Sequence, residues 1–117
     1  MISRLFNMGK IPGVFHRLFP AYLWKKKTKE RVLYLTFDDG PTPELSKWVA
    51  DKLESFGGKG TFFQVANNVK KHPEITHELL ERGHEVGNHS FHHLNGWKSG
   101  LITYLRDFRK AESTLRE

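Results

Sequence analysis

The feature that most constrains the fold is an alternation of strand-like and helix-like segments. Each short strand-like run is followed by a longer segment in which apolar residues recur every three or four positions. The strand-like runs span residues 32–37, 61–65 and 84–87, and the helix-like segments span residues 42–56, 73–83 and 101–116. Three such units in a row predict an α/β fold with a parallel sheet, in which functional groups collect at the carboxyl ends of the strands.

The first unit carries the most detailed local signals. Residues 32–37 read Val-Leu-Tyr-Leu-Thr-Phe and predict a strand that is buried on both faces, because the run has few polar breaks. Thr42 is the predicted N-cap of the following helix, and Pro43 is its predicted first residue. We expect one apolar face along this helix before it stops at Gly57-Gly58, formed by Leu45, Trp48, Val49, Leu53 and Phe56.

The other two helices follow the same spacing rules. Pro73 opens a predicted helix that ends at Gly83, with Ile75, Leu79 and Leu80 on one face. A loop through residues 95–100 then leads to the last helix. Its amphipathic stripe consists of Leu101, Tyr104, Leu105, Phe108, Ala111 and Leu115.

Length and cysteine content limit the alternatives. A chain of 117 residues is long enough for one domain with a sizeable core, but a complete (β/α)8 barrel typically needs about 250 residues. The chain contains no cysteine, which excludes disulfides, thiolate metal ligands and cysteine nucleophiles.

The excess of positive charge lies at one end of the chain. The net charge is +6, yet residues 1–31 contain eight basic side chains and one acidic one, whereas residues 32–117 contain 11 basic and 12 acidic ones. Any attraction to a polyanion or a membrane surface therefore belongs to the N-terminal arm, residues 1–30. We expect a solvated basic arm and no nucleic-acid partner.

The arm is also aromatic, but it does not predict a membrane span. Arg17 and Pro20 interrupt the apolar residues well short of the roughly 20 that a span requires, and there is no clean signal-peptide pattern. We expect a short amphipathic or irregular segment whose aromatic side chains dock on the domain, with peripheral membrane contact through residues 1–30 as the alternative. A cytoplasmic or cell-envelope-associated location is compatible with this pattern.

Polar residues follow two of the predicted strands. Asp38 and Asp39 follow the first strand, and His89, His92 and His93 follow the third, so the parallel sheet brings both groups to one edge. Two imidazoles four residues apart and one carboxylate form a three-ligand site with open positions, as in catalytic zinc and related divalent sites. Taken singly, an Asp-Asp-Gly sequence after a strand is more often an acidic turn, and a pair of histidines four residues apart more often lies on the surface by chance. His92, three residues after His89, is an alternative ligand by its spacing. His72, His77 and His84 are predicted to be surface histidines.

At these residues the chain resembles the polysaccharide deacetylases of the NodB type. Residues 36–40, Thr-Phe-Asp-Asp-Gly, resemble the first motif of that family, and residues 89–93, His-Ser-Phe-His-His, resemble the second. Residues 61–63, Thr-Phe-Phe, resemble the intervening strand, which usually closes with Gly where this chain has Ala66. The resemblance implies a partial (β/α) barrel with about three βα units. Residues 31–117 would then be the N-terminal part of the catalytic domain.

The resemblance also implies a set of roles. Asp39, His89 and His93 would bind a divalent metal ion, zinc first and cobalt, manganese or nickel as alternatives, and Asp38 would be the general base. His92 would have no part in the site. The expected reaction removes N-acetyl groups from an amino-sugar polymer of the peptidoglycan or chitin type. The same scaffold acting on another amide, and a non-enzymatic module that binds polyanions or membranes, are the alternatives.

Two features of the family pattern are not found in the chain. One is the third motif, whose arginine steadies the base, and the other is a late histidine that protonates the leaving amine. We therefore expect these 117 residues to have reduced activity, and the unpaired edge of a partial sheet to favour self-association. We expect Trp97 and Tyr104 to pack in the core, with stacking on a sugar ring as the alternative.

Overall fold

The computed structural model describes residues 11–26 and 28–117. The chain divides into two compact units, Met1–Val32 and Leu33–Glu117. In the first unit the helix α1 spans Gly13–Leu18 and contains no buried residue. The ring of His16 stacks on Trp24 at 5.4 Å between centroids, and the Trp24 indole N–H donates to the Phe19 carbonyl. Docking of the aromatic residues on the domain stays a prediction.

The second unit contains a three-stranded parallel sheet, which confirms the predicted α/β class. The strands are β1, Thr36–Gly40, β2, Thr61–Gln64, and β3, Glu85–Asn88, in the order β1-β2-β3. The helices are α2, Leu45–Ser55, α3, Ala66–Lys71, α4, Pro73–Glu81, α5, Gly96–Ser99, and α6, Leu101–Leu115. Across the described residues, no helix is both long and apolar enough to cross a membrane.

The core lies between the sheet and the helices that connect its strands. Phe62 of the central strand β2 is 3% exposed, stacks on Phe37 and packs with Ala50, Ile75 and Leu79. Burying a side chain such as Leu79 stabilises the fold by about 1.5–3 kcal/mol. A second cluster, Ala66, Phe91 and Ala111, joins α6 to the turn after β3. This second cluster is the one that supports the candidate site.

The prediction of a doubly buried strand over residues 32–37 is wrong. Val32, Leu33, Tyr34 and Leu35 are all exposed, and β1 begins only at Thr36. Among the described residues β1 pairs with β2 alone, so it is an edge strand. Within residues 11–26 and 28–117, the apolar run therefore has no strand on its other side.

The start and the buried face of α2 also differ from the prediction. The helix begins at Leu45, after a turn at Pro43 and Glu44, and the Thr42 N–H donates to the Ser46 hydroxyl at 2.8 Å. The buried side of α2 carries Ser46 and Ala50, with Val49 and Leu53 packed against the core. The larger predicted members of that face, Leu45, Trp48 and Phe56, are exposed. The small residues Ser46 and Ala50 thus form the buried side of the helix, and Ala50 belongs to the core cluster of Phe62.

The remaining elements agree with the prediction to within a residue or two, with two additions. The helices α3 and α5 were not predicted, because with six and four residues they are too short to show a helical period. The prediction that Trp97 packs in the core is also wrong, because this side chain is fully exposed on α5. Tyr104 is partly buried.

Candidate metal centre

A bulge at the end of β1 places the two aspartates. Phe37 pairs with Phe62 and Gly40 with Gln64, so Asp38 and Asp39 together stand opposite a single residue of β2. Asp39 has a φ of 71°, in the left-handed region that costs a non-glycine residue about 1 kcal/mol or more. The Asn68 side-chain amide on α3 donates to the Asp39 carbonyl at 3.1 Å. The bulge interrupts the regular strand alternation where the carboxylates occur.

The turn after β3 holds the two histidines by side-chain acceptors. The His89 N–H still continues the sheet, donating to the Gln64 carbonyl at 2.9 Å. The next N–H, of Ser90, donates to the Asn88 side-chain oxygen at 2.8 Å, and the N–H of His93 donates to the Ser90 hydroxyl at 3.0 Å. Ser90 and His93 both have positive φ, 65° and 55°. These local bonds stabilise a tight turn that the backbone alone disfavours.

The first turn of α3 fixes the same segment from the other side. The N–H groups of Ala66 and Asn67 donate to the carbonyls of Ser90 and Phe91, at 3.0 and 3.2 Å. Donors at the start of a helix have no partner within it, so this contact satisfies both elements. The short helix that the sequence analysis missed therefore supports both loops of the site.

The structure brings Asp39, His89 and His93 together. Asp39 Oδ1 lies 3.1 Å from His89 Nε2 and 3.2 Å from His93 Nε2, and the three ligand atoms lie within 4.8 Å of one another. Ligands about 2.0–2.2 Å from a tetrahedral zinc ion are separated by roughly 3.3 Å. The donor set and its spacing therefore fit one divalent ion. The Asp39 and His93 side chains are more than half exposed, so water and substrate can approach.

Comparison with known proteins decides the family. The sequence profile of polysaccharide deacetylases matches residues 25–117, more than half of the chain. The chain belongs to the polysaccharide deacetylase family. A peptidoglycan-N-acetylglucosamine deacetylase of Bacillus cereus is 35% identical over 95 residues, covering 81% of this chain and 34% of the relative. The chain thus spans about a third of the length of this curated relative.

Solved structures give the same result for the fold. Peptidoglycan deacetylase PdaC from Bacillus subtilis superposes with a TM-score of 0.70 at 32% identity, covering 75% of this chain and 44% of that one. A family 4 acetyl xylan esterase from Clostridium thermocellum, solved with a cobalt ion, gives a TM-score of 0.64 at 30% identity, covering 71% and 41%. The predicted NodB-type deacetylase fold is confirmed, and this chain forms part of it.

In this member of the deacetylase family, the structure does not group Asp38 with the three candidate ligands. Asp38 is exposed and lines a depression with Thr42 and Ser46 on the α2 side. Asp39 and His93 line another depression together with Asn68. The role of Asp38 as general base stays a prediction, and it depends on where substrate and water lie between the two depressions.

Asp107 is the residue of this site that the sequence analysis missed. It lies on α6, is 6% exposed, and its Oδ2 accepts the N–H groups of Phe91 and His92 at 2.8 and 3.0 Å. Its Oδ1 contacts His92 Nδ1 at 2.5 Å. Burial by itself would raise the pKa of Asp107, but these hydrogen bonds outweigh it and hold the pKa below its usual value. A charged residue on the apolar stripe of the last helix was the available signal.

His84 corrects the prediction of a surface histidine. It is 3% exposed, and its Nδ1 accepts the Gly60 N–H at 3.1 Å, so the ring is part of the packing before β2 and β3. Burial lowers the pKa of His84, and the nearby Lys59 lowers it further. Glu54 lies 3.4 Å from His84 Nε2, and hydrogen bonds from Arg82 and Lys59 lower the pKa of Glu54 to about 2. This polar cluster lies at the amino ends of the strands, opposite the candidate metal centre.

Proposed function

We propose that the protein is a metal-dependent deacetylase that removes N-acetyl groups from an amino-sugar polymer of the peptidoglycan or chitin type. The observation that carries the proposal is the meeting of Asp39 Oδ1 with His89 Nε2 and His93 Nε2 at 3.1 and 3.2 Å. The three groups come from the carboxyl ends of two parallel strands, where α/β proteins place their sites. Relatives named as peptidoglycan deacetylases support the substrate class.

The proposed cofactor is one divalent ion, zinc first, held by Asp39, His89 and His93. Cobalt, manganese and nickel suit the same nitrogen and oxygen donors, and the Clostridium thermocellum relative was solved with cobalt. When bound, such an ion would lower the pKa of its water into the neutral range and polarise a carbonyl oxygen. The exposed sides of Asp39 and His93 leave open the position that this chemistry requires.

In the proposed mechanism, Asp38 accepts a proton from the attacking water. A carboxylate that is not a ligand is available to accept a proton, whereas its neighbour Asp39 would be occupied by the metal ion. The bulge at the end of β1 supports this division, because it places two consecutive carboxylates opposite one residue of β2. The water oxygen bonds to the acetyl carbon, the C–N bond breaks, and the proton that Asp38 accepted passes to the leaving nitrogen, which gives acetate and the free amine.

Release of acetate from N-acetylglucosamine oligomers tests the proposal. With one zinc ion per chain we expect slow hydrolysis, which chelation abolishes and Asp38→Asn lowers by about 10²–10⁴-fold. Asp51→Asn is the matched control, since Asp51 is an exposed α2 residue paired with Arg82 and should not affect the rate. Hydrolysis that persists unchanged in Asp38→Asn or in the chelated protein would contradict the proposal.

Hydrolysis of an acetyl ester, instead of an N-acetyl amide, is the second candidate. The acetyl xylan esterase among the structural relatives is named for an ester rather than an amide. Parallel assays with an acetylated xylan and with N-acetylglucosamine oligomers discriminate the two, because the proposed deacetylase hydrolyses the amide substrate faster.

A further inference from the structure

The segment between the two histidines is bonded at every backbone N–H. Four consecutive N–H groups, those of residues 90–93, all donate to side-chain oxygens. The outer two use Asn88, the last residue of β3, and Ser90, which lies within the segment. The middle two use a single oxygen of Asp107, which lies on α6, 14 residues after His93. Among these acceptors, Asp107 is the one that is distant in sequence from the turn.

Asp107 differs from the surface carboxylates in burial and in partner type. Its side chain is 5% exposed, and its hydrogen-bond partners are two backbone N–H groups and the His92 ring. A buried ionised acceptor makes shorter and stronger hydrogen bonds than a neutral one. Removing it would leave the N–H groups of Phe91 and His92 without their acceptor.

These hydrogen bonds restrict the backbone between His89 and His93, and so they affect the distance between the two histidine rings. His89 and His93 flank the bonded segment, and the segment contains left-handed φ values at Ser90 and at His93 itself. Without the Asp107 acceptor, more relaxed backbone conformations become accessible, and they would move the His93 ring away from Asp39 Oδ1. The hydrogen bonds from α3 reach only the carbonyl groups of Ser90 and Phe91, so they do not replace the acceptor that Asp107 provides for the N–H groups.

We infer that Asp107 is a positioning residue of the metal centre, which sets the separation of His89 and His93 by fixing the turn between them. The inference rests on the proposed metal function of Asp39, His89 and His93. Partners that orient metal ligands typically contribute about 10–100-fold to metal affinity. Asp107 acts through the backbone of the turn rather than through the ligand rings themselves.

Cobalt binding by the chain and its variants tests this inference. We expect Asp107→Asn to weaken Co²⁺ affinity about 10-fold and Asp107→Ala about 100-fold, with a changed visible absorption band because the ligand geometry changes. Glu54→Gln is the matched control. It replaces a carboxylate that bonds Arg82 and Lys59 at the amino ends of the strands, so it should lower stability and leave the cobalt band and affinity unchanged.

The outcomes separate this inference from the function on which it rests. If the unmodified chain binds Co²⁺ and both Asp107 variants match its affinity and spectrum, the positioning role is wrong and the metal centre stands. A fall in affinity in Glu54→Gln equal to that in Asp107→Asn would also overturn it, because general destabilisation would then account for the loss. If the unmodified chain binds no Co²⁺, both proposals are wrong.

Discussion

At the scale of single residues, His84 links burial to the response of the fold to pH. Its ring accepts the Gly60 N–H and is surrounded by the charged groups of Glu54, Lys59 and Arg82. Burial lowers the pKa of His84 below its usual value in the folded chain. As pH falls below about 6.5, the unfolded chain therefore binds a proton that the folded chain binds less readily. The contribution of His84 to stability is complete above that pH and is lost below it.

We therefore predict a specific pH dependence of unfolding. Between pH 7 and pH 5.5, the unfolding free energy of the metal-free chain should fall more steeply in the unmodified protein than in His84→Asn, by up to about 1.4 kcal/mol per pH unit. The substituted asparagine would keep an acceptor for the Gly60 N–H without titrating. Urea unfolding at several pH values measures the difference. His77→Asn, at an exposed position, should keep the full slope, and an equally steep slope in His84→Asn would contradict the assignment.

Residue types and spacing predicted that the histidines after β3 would meet the aspartates after β1, and the family resemblance was needed to choose Asp39 over Asp38 and to leave out His92. His89 and His93 were expected from their four-residue spacing and their place after a strand, and the structure brings them together. The same reasoning missed Asp107 and misplaced His84, because both are polar residues inside the fold. Their burial follows from hydrogen bonds to segments that are distant in sequence, which a local pattern does not contain.

At the scale of elements, β2 and β3 fit together through one close contact. Phe63 pairs with Gly87, and a Cβ added at Gly87 would lie 2.4 Å from Phe63 Cδ1. That separation is far shorter than a van der Waals contact, so the phenyl ring occupies the space above the glycine. His89, which follows two residues later, depends on β3 holding this register.

Gly87→Ala should strain this pair of strands. We expect it to destabilise the fold by about 1–3 kcal/mol, because the Phe63 ring or the β3 backbone must move. Gly96→Ala is the matched control, since its Cβ would meet Tyr104 at an ordinary 3.5 Å, and it should change stability by less than about 0.5 kcal/mol. Urea unfolding of the two variants measures both values. Equal stabilities would show that Phe63 moves aside without cost.

The strand and helix types were largely predictable, and the covering of the strands was not. The spacing of apolar residues predicted the bounds of α2, α4 and α6 to within a few residues. Apolar residues 32–35 predicted a buried strand, but burial also requires a neighbour on the outer side of β1. A sequence pattern records how apolar a segment is and leaves open what lies against it.

At the scale of the whole molecule, the chain forms three strands of a fold that its relatives extend much further. It covers 44% of the PdaC structure, and the exposed side chains of Leu35, Trp48 and Phe56 line one depression together with Phe37 of β1. Exposed apolar side chains next to an unpaired strand favour association. Self-association through this edge and membrane contact through residues 1–30 both stay predictions.

The central claim is that Asp39, His89 and His93 form one metal site, and zinc content after dialysis tests it most directly. We expect one zinc ion per unmodified chain. The bound zinc should be lost in Asp39→Asn and in His93→Ala. It should be kept in His92→Ala, because His92 contacts Asp107 and is not one of the three candidate ligands. An unmodified chain that retains no zinc, or a His92→Ala variant that loses as much zinc as His93→Ala, would contradict it.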